Sequence, residues 1–199
     1  KEGVFFDNHV EFVKHFLKGQ IAMEDVRREL MAQAAKMERT GLPLTHVDSH
    51  QHMHMLPGVI DISLDVAASL NLDAVRISRT PLFTAFAGMG QLIGRLGLFT
   101  LSELSLWKAK RRHFRVPDHF EGIVAGEAVH EGHFLHILKD LRPGTTEVMM
   151  HPGTDSEKLI PACDWEHDFE AEMQAIVSPK VRRMIADKAV KIVNYRDLK

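Results

Sequence analysis

Apolar residues recur along this chain at two spacings, and segments of the two kinds alternate. Val26, Leu30, Ala34 and Met37 lie three or four positions apart, which is the spacing of one face of an α-helix. Short β-rich segments such as 74–78 are typical of strands. Because helical and strand-like segments follow one another, the pattern predicts an α/β fold whose parallel strands are joined by right-handed crossovers.

Capping and stop residues in the sequence mark where several predicted helices begin and end. The helix predicted over 23–40 has acidic residues near its start, basic residues near its end and Gly41 as a stop signal. Ser178 is a typical N-cap, and Pro179 suits the first helical position. Further helices are predicted over 8–18, 58–70, 84–112 (interrupted by glycines), 131–141, 165–176 and 179–188, and strands over 45–49, 74–78, 120–124, 145–150 and 190–193.

Length, composition and charge limit the classes of protein to which the chain can belong. A length of 199 residues with 45% hydrophobic and 26% charged residues suits one globular domain over 1–199. A net charge of −2 argues against general nucleic-acid binding. Cys163 is the single cysteine and cannot form an internal disulfide, so we expect a reducing, cytoplasmic compartment. The most apolar stretch contains Arg95 and Glu103, so the sequence predicts no membrane span.

Histidines are concentrated in residues 45–54, which hold four of the 13 in the chain. His50, His52 and His54 alternate with other residues, and in an extended segment they would share one side. Imidazole is the commonest metal ligand in proteins. We therefore predict a metal site at the end of the strand over 45–49, with Asp48 orienting a ligating imidazole; the alternative is a cluster of solvated surface histidines.

Two further residues are candidates for catalysis or binding. His151 follows the predicted strand over 145–150 and precedes a Pro-Gly turn, so it too lies at a strand end. Its expected role is acid/base catalysis or oxyanion stabilisation, and the alternative is a capping histidine in a turn. Arg76 lies near the end of the strand over 74–78 and is a candidate for binding a substrate oxygen.

Three segments of the chain carry a family resemblance. Residues 45–57 read Thr-His-Val-Asp-Ser-His-Gln-His-Met-His-Met-Leu-Pro, and residues 147–153 read Glu-Val-Met-Met-His-Pro-Gly. Together with the weaker Asn-Tyr-Arg-Asp-Leu at 194–198, they resemble the YdjC/ChbG family of carbohydrate deacetylases, and most closely its hopanoid-associated HpnK branch. The order and spacing of these motifs fit along essentially the whole chain.

The resemblance implies a distorted (β/α) barrel of the glycoside hydrolase/deacetylase type. It also implies a divalent metal ion (Mg or Zn) bound by His50, and a substrate that is an N-acetylated sugar or a glycolipid such as an acetylglucosaminyl hopanoid. His151 would protonate the leaving amine or stabilise the tetrahedral intermediate, while Asp48, His52, His54 and Arg76 would support the metal or contact substrate.

The family's Asp-Asp-Phe-Gly and Gly-x-His motifs do not occur in these 199 residues. We therefore expect a barrel that is incomplete at its N-terminus, without two metal ligands and inactive on its own. An open sheet edge would favour pairing with another chain, such as a homodimer.

Two alternative functions stay open, as do two interpretations of a basic run. The chain could be another metal-dependent amidohydrolase or phosphoesterase on a similar barrel, or a non-catalytic histidine-rich metal-binding module. The basic run at 108–115 is either a solvated face or a surface for peripheral contact with anionic membranes, which would suit a lipid-linked substrate.

Overall fold

The computed structural model describes residues 4–79, 89–123, 128–163 and 165–198, with 89–95 described by their backbone alone. The chain falls into two compact units. The first unit comprises residues 1–116 and 195–199, and the second comprises residues 117–194. The single domain expected over 1–199 stays a prediction.

The first unit is mostly helical. A 3-10 helix over His50–Met55 lies between its second and third α-helices. Asn8 begins the first helix by accepting the backbone N–H of Glu11, which satisfies one of the unpaired donors at the helix start. The four α-helices are α1 (His9–Leu17), α2 (Met23–Glu38), α3 (Val59–Ser69) and α4 (Met89–Arg111).

Helix α3 is the centre of the first unit's core. One of its faces, with Ile60 and Leu64, is buried against the extended segment that contains Val75 and Ile77. The opposite face, with Ile62 and Val66, packs against Ala34 and the partly buried apolar residues of α2. Both of these faces are apolar and buried, while Asp61 and Asp65 lie on the remaining, partly exposed part of the helix.

The strands expected in the first unit are reduced to isolated parallel bridges. Val47 pairs with Val75, and Ala74 pairs with Arg115. The predictions of full strands over 45–49 and 74–78 are therefore wrong, although the parallel direction is confirmed. Two backbone hydrogen bonds support the first bridge, at 3.3 and 3.0 Å, and the chain then turns into the 3-10 helix at His50.

In its described residues, the second unit contains a two-stranded parallel sheet and four helices. Strand β1 (His119–Glu121) pairs with β2 (Thr146–Val148), with Phe120 opposite Glu147. Helix α5 packs against α7 and α8, and α6 packs against α7. Side chains cap three of these helices at their N-termini: His130, Asp168 and Ser178. The helices are α5 (Glu131–Lys139), α6 (Ser156–Cys163), α7 (Phe169–Val177) and α8 (Pro179–Asp187).

A close backbone approach at Gly122 fixes the path of the chain after β2. Gly122 has φ +100°, and a Cβ built there would lie 2.2 Å from the carbonyl oxygen of Met149. The N–H of Met149 donates to the carbonyl of Glu121 at 3.0 Å. Only glycine fits this position, and the contact carries the chain from β2 toward His151.

The mixed α/β class is confirmed, with a helical majority and a small parallel sheet, whereas the barrel stays a prediction. The strand predicted over 190–193 is wrong: these residues form no strand, and the N–H of Val190 donates back to Ile185 at the end of α8. The glycines expected to interrupt the helix over 84–112 do not break it between 89 and 111; residues 84–88 lie outside the described part, as does Val124 of the strand over 120–124.

Candidate functional site

The histidine run of the first unit does not form the predicted extended segment. Gln51 and His52 have φ values of 50° and 56°, in the left-handed region, inside the 3-10 helix. His50 is exposed, whereas His54 is buried with 2% of its surface accessible. The prediction that alternating histidines share one side of a strand is therefore wrong. The side chain of Ser49 accepts the N–H of His54 at 2.9 Å, which folds the segment back on itself.

His54 is held by the chain at both ring nitrogens. Its Nε2 lies 2.7 Å from the carbonyl oxygen of Arg76, and its Nδ1 lies 2.8 Å from the hydroxyl of Ser49. Because a carbonyl oxygen only accepts, Nε2 carries the proton and Nδ1 accepts from Ser49. Burial lowers the pKa of His54 and so favours the neutral ring. The geometry is that of a structural histidine, and a role in substrate binding stays a prediction.

The other predicted residues of this region lie in a network of polar contacts. Asp48 Oδ2 accepts from Arg76 Nη1 at 2.5 Å, and this guanidinium is largely covered. His52 Nδ1 lies 2.8 Å from the hydroxyl of Ser78. The ring of His50 meets the ring of His9 edge-on, with centroids 5.9 Å apart. Thus Asp48 is engaged by Arg76, and the proposed metal role of His50 stays a prediction.

His46 is a packed histidine with a polar contact at its ring. The ring stacks on Tyr195 with centroids 3.6 Å apart, and Nδ1 lies 2.8 Å from the hydroxyl of Thr45. It is partly buried. This stacking anchors the C-terminal segment of the first unit.

In the second unit, His151 lies three residues beyond β2 in a loop that docks on α6 and α7. The N–H of Gly153 donates to the carbonyl of Phe169 at 3.0 Å. A Cβ on Gly153 would lie 2.4 Å from Leu159 Cδ1, so the close approach requires glycine. The Pro-Gly turn noted in the sequence therefore has a packing role, and it places His151 beside the segment that leads into α7.

A group of aromatic rings surrounds His151. Trp165 meets it edge-on with centroids 4.9 Å apart, and His167 lies at 5.6 Å. Trp165 and His167 stack at 4.1 Å with planes 23° apart, and Phe169 contacts both of these rings edge-on. Such packing restricts the orientation of the imidazoles.

Glu172 is a carboxylate buried beneath these rings, with 2% of its surface accessible. Its Oε1 accepts the N–H of Val129 at 2.8 Å, and its Oε2 accepts the N–H of His151. His167 Nε2 lies 3.3 Å from Oε1. The carboxylate therefore joins three separate segments of the second unit.

Trp165, His167 and Glu172 were not predicted from the sequence. No spacing motif links them to His151, because each comes from a loop or helix start whose packing decides the contact. One signal was available: Glu172 lies three residues after Phe169 and three before Ala175, on the buried face of α7. A carboxylate on an apolar helical face requires a partner and for this reason indicates a built site.

His151, His167 and Glu172 are the one group of three or more metal-capable side chains that the described residues bring together, with donor atoms all within 4.8 Å. His167 also lines a pocket of about 550 Å³. Its other lining residues are Ala128, His130, Ser156, Ile160, Glu166, Asp168, Glu170 and Ala171.

Several basic residues of the run at 108–115 form ion pairs within the first unit, which does not favour membrane contact. Lys108 contacts Asp61 at 2.6 Å, Arg112 contacts Asp65 at 2.8 Å, and Arg115 pairs with Asp73. Much of the positive charge is thus matched within the first unit. Across the part of the chain that the structure describes, every helix is too short or too polar to cross a membrane.

Comparison with known proteins places these motifs in a family. Residues 1–187 match the family of YdjC-like proteins. The chain belongs to this family. Among its curated relatives, a carbohydrate deacetylase of Mus musculus is 29% identical over 98% of the chain and 68% of the relative. Carbohydrate deacetylases of Homo sapiens and Thermoanaerobacter pseudethanolicus are 28% and 27% identical over 98% and 89% of the chain. The chain spans only 66% and 61% of these two proteins.

Proposed function

We propose that this chain acts in a carbohydrate deacetylase, a hydrolase that removes the acetyl group from an N-acetylated sugar. The observation that carries the proposal is the family match over residues 1–187, which contains both motif-bearing histidines, His50 and His151. Relatives named carbohydrate deacetylase align with nearly the whole chain. The activity belongs to those proteins by name, and to this chain by proposal.

Amide hydrolysis requires an activated water, a polarised carbonyl and a proton for the departing amine. We assign the last of these to His151. Its backbone N–H is fixed by Glu172, its ring packs against Trp165, and it is the most exposed of the clustered donors. A partly exposed, oriented imidazole suits general acid catalysis near neutral pH.

A divalent ion, Mg or Zn, would lower the pKa of a bound water and polarise the acetyl carbonyl. His50 offers an exposed imidazole, next to the ring of His9, as a ligand. Among the described residues, however, no set of three close donors includes His50. A complete metal site at His50 therefore does not fit the residues that the structure describes, and we assign no catalytic step to a metal there.

The finer substrate proposal is an N-acetylglucosaminyl compound, either a soluble oligosaccharide or a hopanoid-type glycolipid in the cytoplasm. It is supported by the likeness of the histidine-rich motif to the HpnK branch. A peripheral membrane contact would be needed only for the glycolipid. Comparing acetate release from the two substrate forms separates these possibilities.

The test of the proposal is acetate release from an N-acetylglucosaminyl oligosaccharide with added Mg or Zn. It is run on the 199-residue chain and on a longer protein that contains it, since we expect residues outside the chain to be required. His151→Gln should lower turnover about 10²–10⁴-fold, the usual contribution of a general acid. The matched control is His136→Gln, an exposed histidine on α5. Metal binding without acetate release from either protein would favour the non-catalytic alternative.

A further inference from the structure

The second unit contains a buried donor pair with an unusual geometry. His167 is more than nine-tenths buried, and its Nε2 has no hydrogen-bond partner among the described residues. The nearest anionic atom is Glu172 Oε1 at 3.3 Å. An orphaned buried nitrogen costs about 1–3 kcal/mol, so it calls for a partner that the side chains themselves do not supply.

We infer that His151, His167 and Glu172 bind one divalent transition-metal ion of the zinc type in the second unit. Two nitrogens and one carboxylate oxygen form a common donor set for such ions, with a fourth position left for water. Magnesium and calcium prefer oxygen ligands, and the two imidazoles disfavour them. This donor set includes no residue of the histidine run at 45–54.

The distance between His167 and Glu172 supports this assignment. Zinc bonds to nitrogen and carboxylate oxygen are about 2.0–2.2 Å long, so neighbouring donors in a tetrahedral site lie roughly 3.3–3.5 Å apart. The separation of 3.3 Å between Nε2 and Oε1 matches that edge. It also leaves the imidazole without an aligned hydrogen bond.

The surrounding residues hold two of the donors in place. The N–H groups of Val129 and His151 donate to the two oxygens of Glu172, and each oxygen keeps a lone pair for a metal. Trp165 stacks on His167 and Phe169 packs against its edge, which orients the ring. Such hydrogen bonds and packing are what orient ligands in metal sites.

His151 supplies the adjustable third donor. Its ring nitrogen lies within 4.8 Å of the other donor atoms. A side-chain rotation that moves this nitrogen by about 1–2 Å would bring it into coordination. A pocket of about 550 Å³ lies beside the cluster, and of the three donors only His167 lines it. The competing interpretation is an ion pair between a protonated His167 and Glu172.

A consequence follows that rests on the proposed function. A zinc ion bound through the His151 ring would occupy the imidazole that serves as proton donor. Excess zinc should therefore inhibit acetate release, and His167→Ala should weaken that inhibition.

The test titrates cobalt(II), a coloured substitute for zinc, into the metal-stripped 199-residue chain. We expect one equivalent to give the visible absorption of tetrahedral cobalt, and zinc to displace it. His167→Ala and the milder His167→Gln should weaken binding at least about 10–100-fold, since even residues that only orient metal ligands have effects of that size. His136→Ala, on the exposed face of α5, and His50→Ala should leave the band unchanged.

Absence of the tetrahedral band in the wild-type chain would overturn the inference. So would a band that survives both His167 variants, or one that is lost in His50→Ala alone. Circular dichroism of each variant confirms folding, and His167→Gln serves if His167→Ala does not fold. Because acetate release can be measured with Mg alone and the cobalt titration requires no activity, failure of this site leaves the deacetylase proposal standing, and failure of the deacetylase assay leaves the cobalt result intact.

Discussion

The histidine run at 45–54 and the cluster around His151 use the same residue type in opposite ways. In the run, hydrogen bonds within the chain hold both ring nitrogens of His54 and Nδ1 of His52. In the cluster, His167 Nε2 is buried beside a carboxylate without a hydrogen bond. In the dense region the chain itself engages the rings of His52 and His54, whereas the sparse region brings three metal-capable side chains together. Burial and hydrogen bonding, rather than the density of histidines, decide which imidazoles can bind a ligand.

The largest expected effect is the loss of the Glu172 carboxylate. Glu172→Ala would leave the N–H groups of Val129 and His151 without an acceptor and remove the neighbour of His167. We expect the free energy of unfolding to fall by about 3–5 kcal/mol, measured by urea denaturation. Glu157→Ala, an exposed residue at the start of α6, is the control and should change stability by less than about 0.5 kcal/mol. Equal effects would show that Glu172 does not join the segments of the second unit.

The next effect separates a structural histidine from an exposed one. His54→Ala would leave the carbonyl of Arg76 and the hydroxyl of Ser49 without partners and open a cavity beside α3. We expect a loss of about 2–4 kcal/mol by thermal or urea denaturation. His50→Ala, four residues earlier and exposed, should cost less than about 0.5 kcal/mol. The comparison fails if the two variants are equally stable.

His54 should also make stability depend on pH. Because burial lowers its pKa in the folded state, the unfolded chain binds more protons as the pH falls below the ordinary histidine value of about 6.5. The stability linked to the neutral ring is fully present above about pH 6.5 and is lost as the pH falls toward the lowered pKa. Denaturation curves at pH 7 and pH 5 should show a larger drop for the wild type than for His54→Gln. An unchanged pH dependence in the variant would argue against a buried neutral ring.

A smaller loss of stability is expected at the ion pairs that join α3 to α2 and to Arg112, the residue after α4. Asp65 on α3 contacts Arg27 and Arg112, at 2.7 and 2.8 Å. Burial alone would raise the pKa of Asp65, but the hydrogen bonds from the two guanidinium groups outweigh it and lower the pKa. All three side chains are about one-third exposed, so Asp65→Asn should cost only about 0.5–1 kcal/mol by urea denaturation at pH 7.

The contribution of Asp65 should fade at acid pH. Since its folded pKa is lowered, the stabilisation is present above the unfolded value of about 3.9 and is lost as the pH falls through the folded pKa. Wild type and Asp65→Asn should therefore converge in stability at low pH. A difference that persists there would mean that the packing of the side chain, rather than its charge, supports the helix contacts.

Local signals in the sequence predicted the helices well. The stripe in α2 and the Ser178-Pro179 start of α8 are set by local residues, and the structure confirms both helices. Val26, Leu30 and Ala34 of the stripe pack in the core, whereas Met37 is exposed. The helix α6 was missed because Pro161 lies inside it. The strand over 190–193 failed because apolar content alone does not supply a neighbouring strand.

The candidate site was less predictable than the helices. His151 was identified because it follows a strand, and it does lie three residues after β2. His167 and Glu172 join it only through the docking of the loop at Gly153 onto Phe169, a contact between segments sixteen residues apart in the sequence. The fold-back of the histidine run depended on one hydroxyl, that of Ser49, which also accepts the N–H of His54. Contacts of this kind produce no periodic pattern in the sequence from which they could be predicted.

Nitrogen-15 NMR of the histidine rings during zinc titration tests the contrast between the two regions most directly. We expect the signals of the ring nitrogens of His151 and His167 to shift with one equivalent of zinc. The signals of His54 should remain those of a ring with a protonated Nε2 and an acceptor Nδ1 throughout. Zinc-dependent shifts at His50, His52 or His54, with His151 and His167 unchanged, would contradict metal binding by the cluster around His151. Such shifts would place the metal site in the histidine run at 45–54.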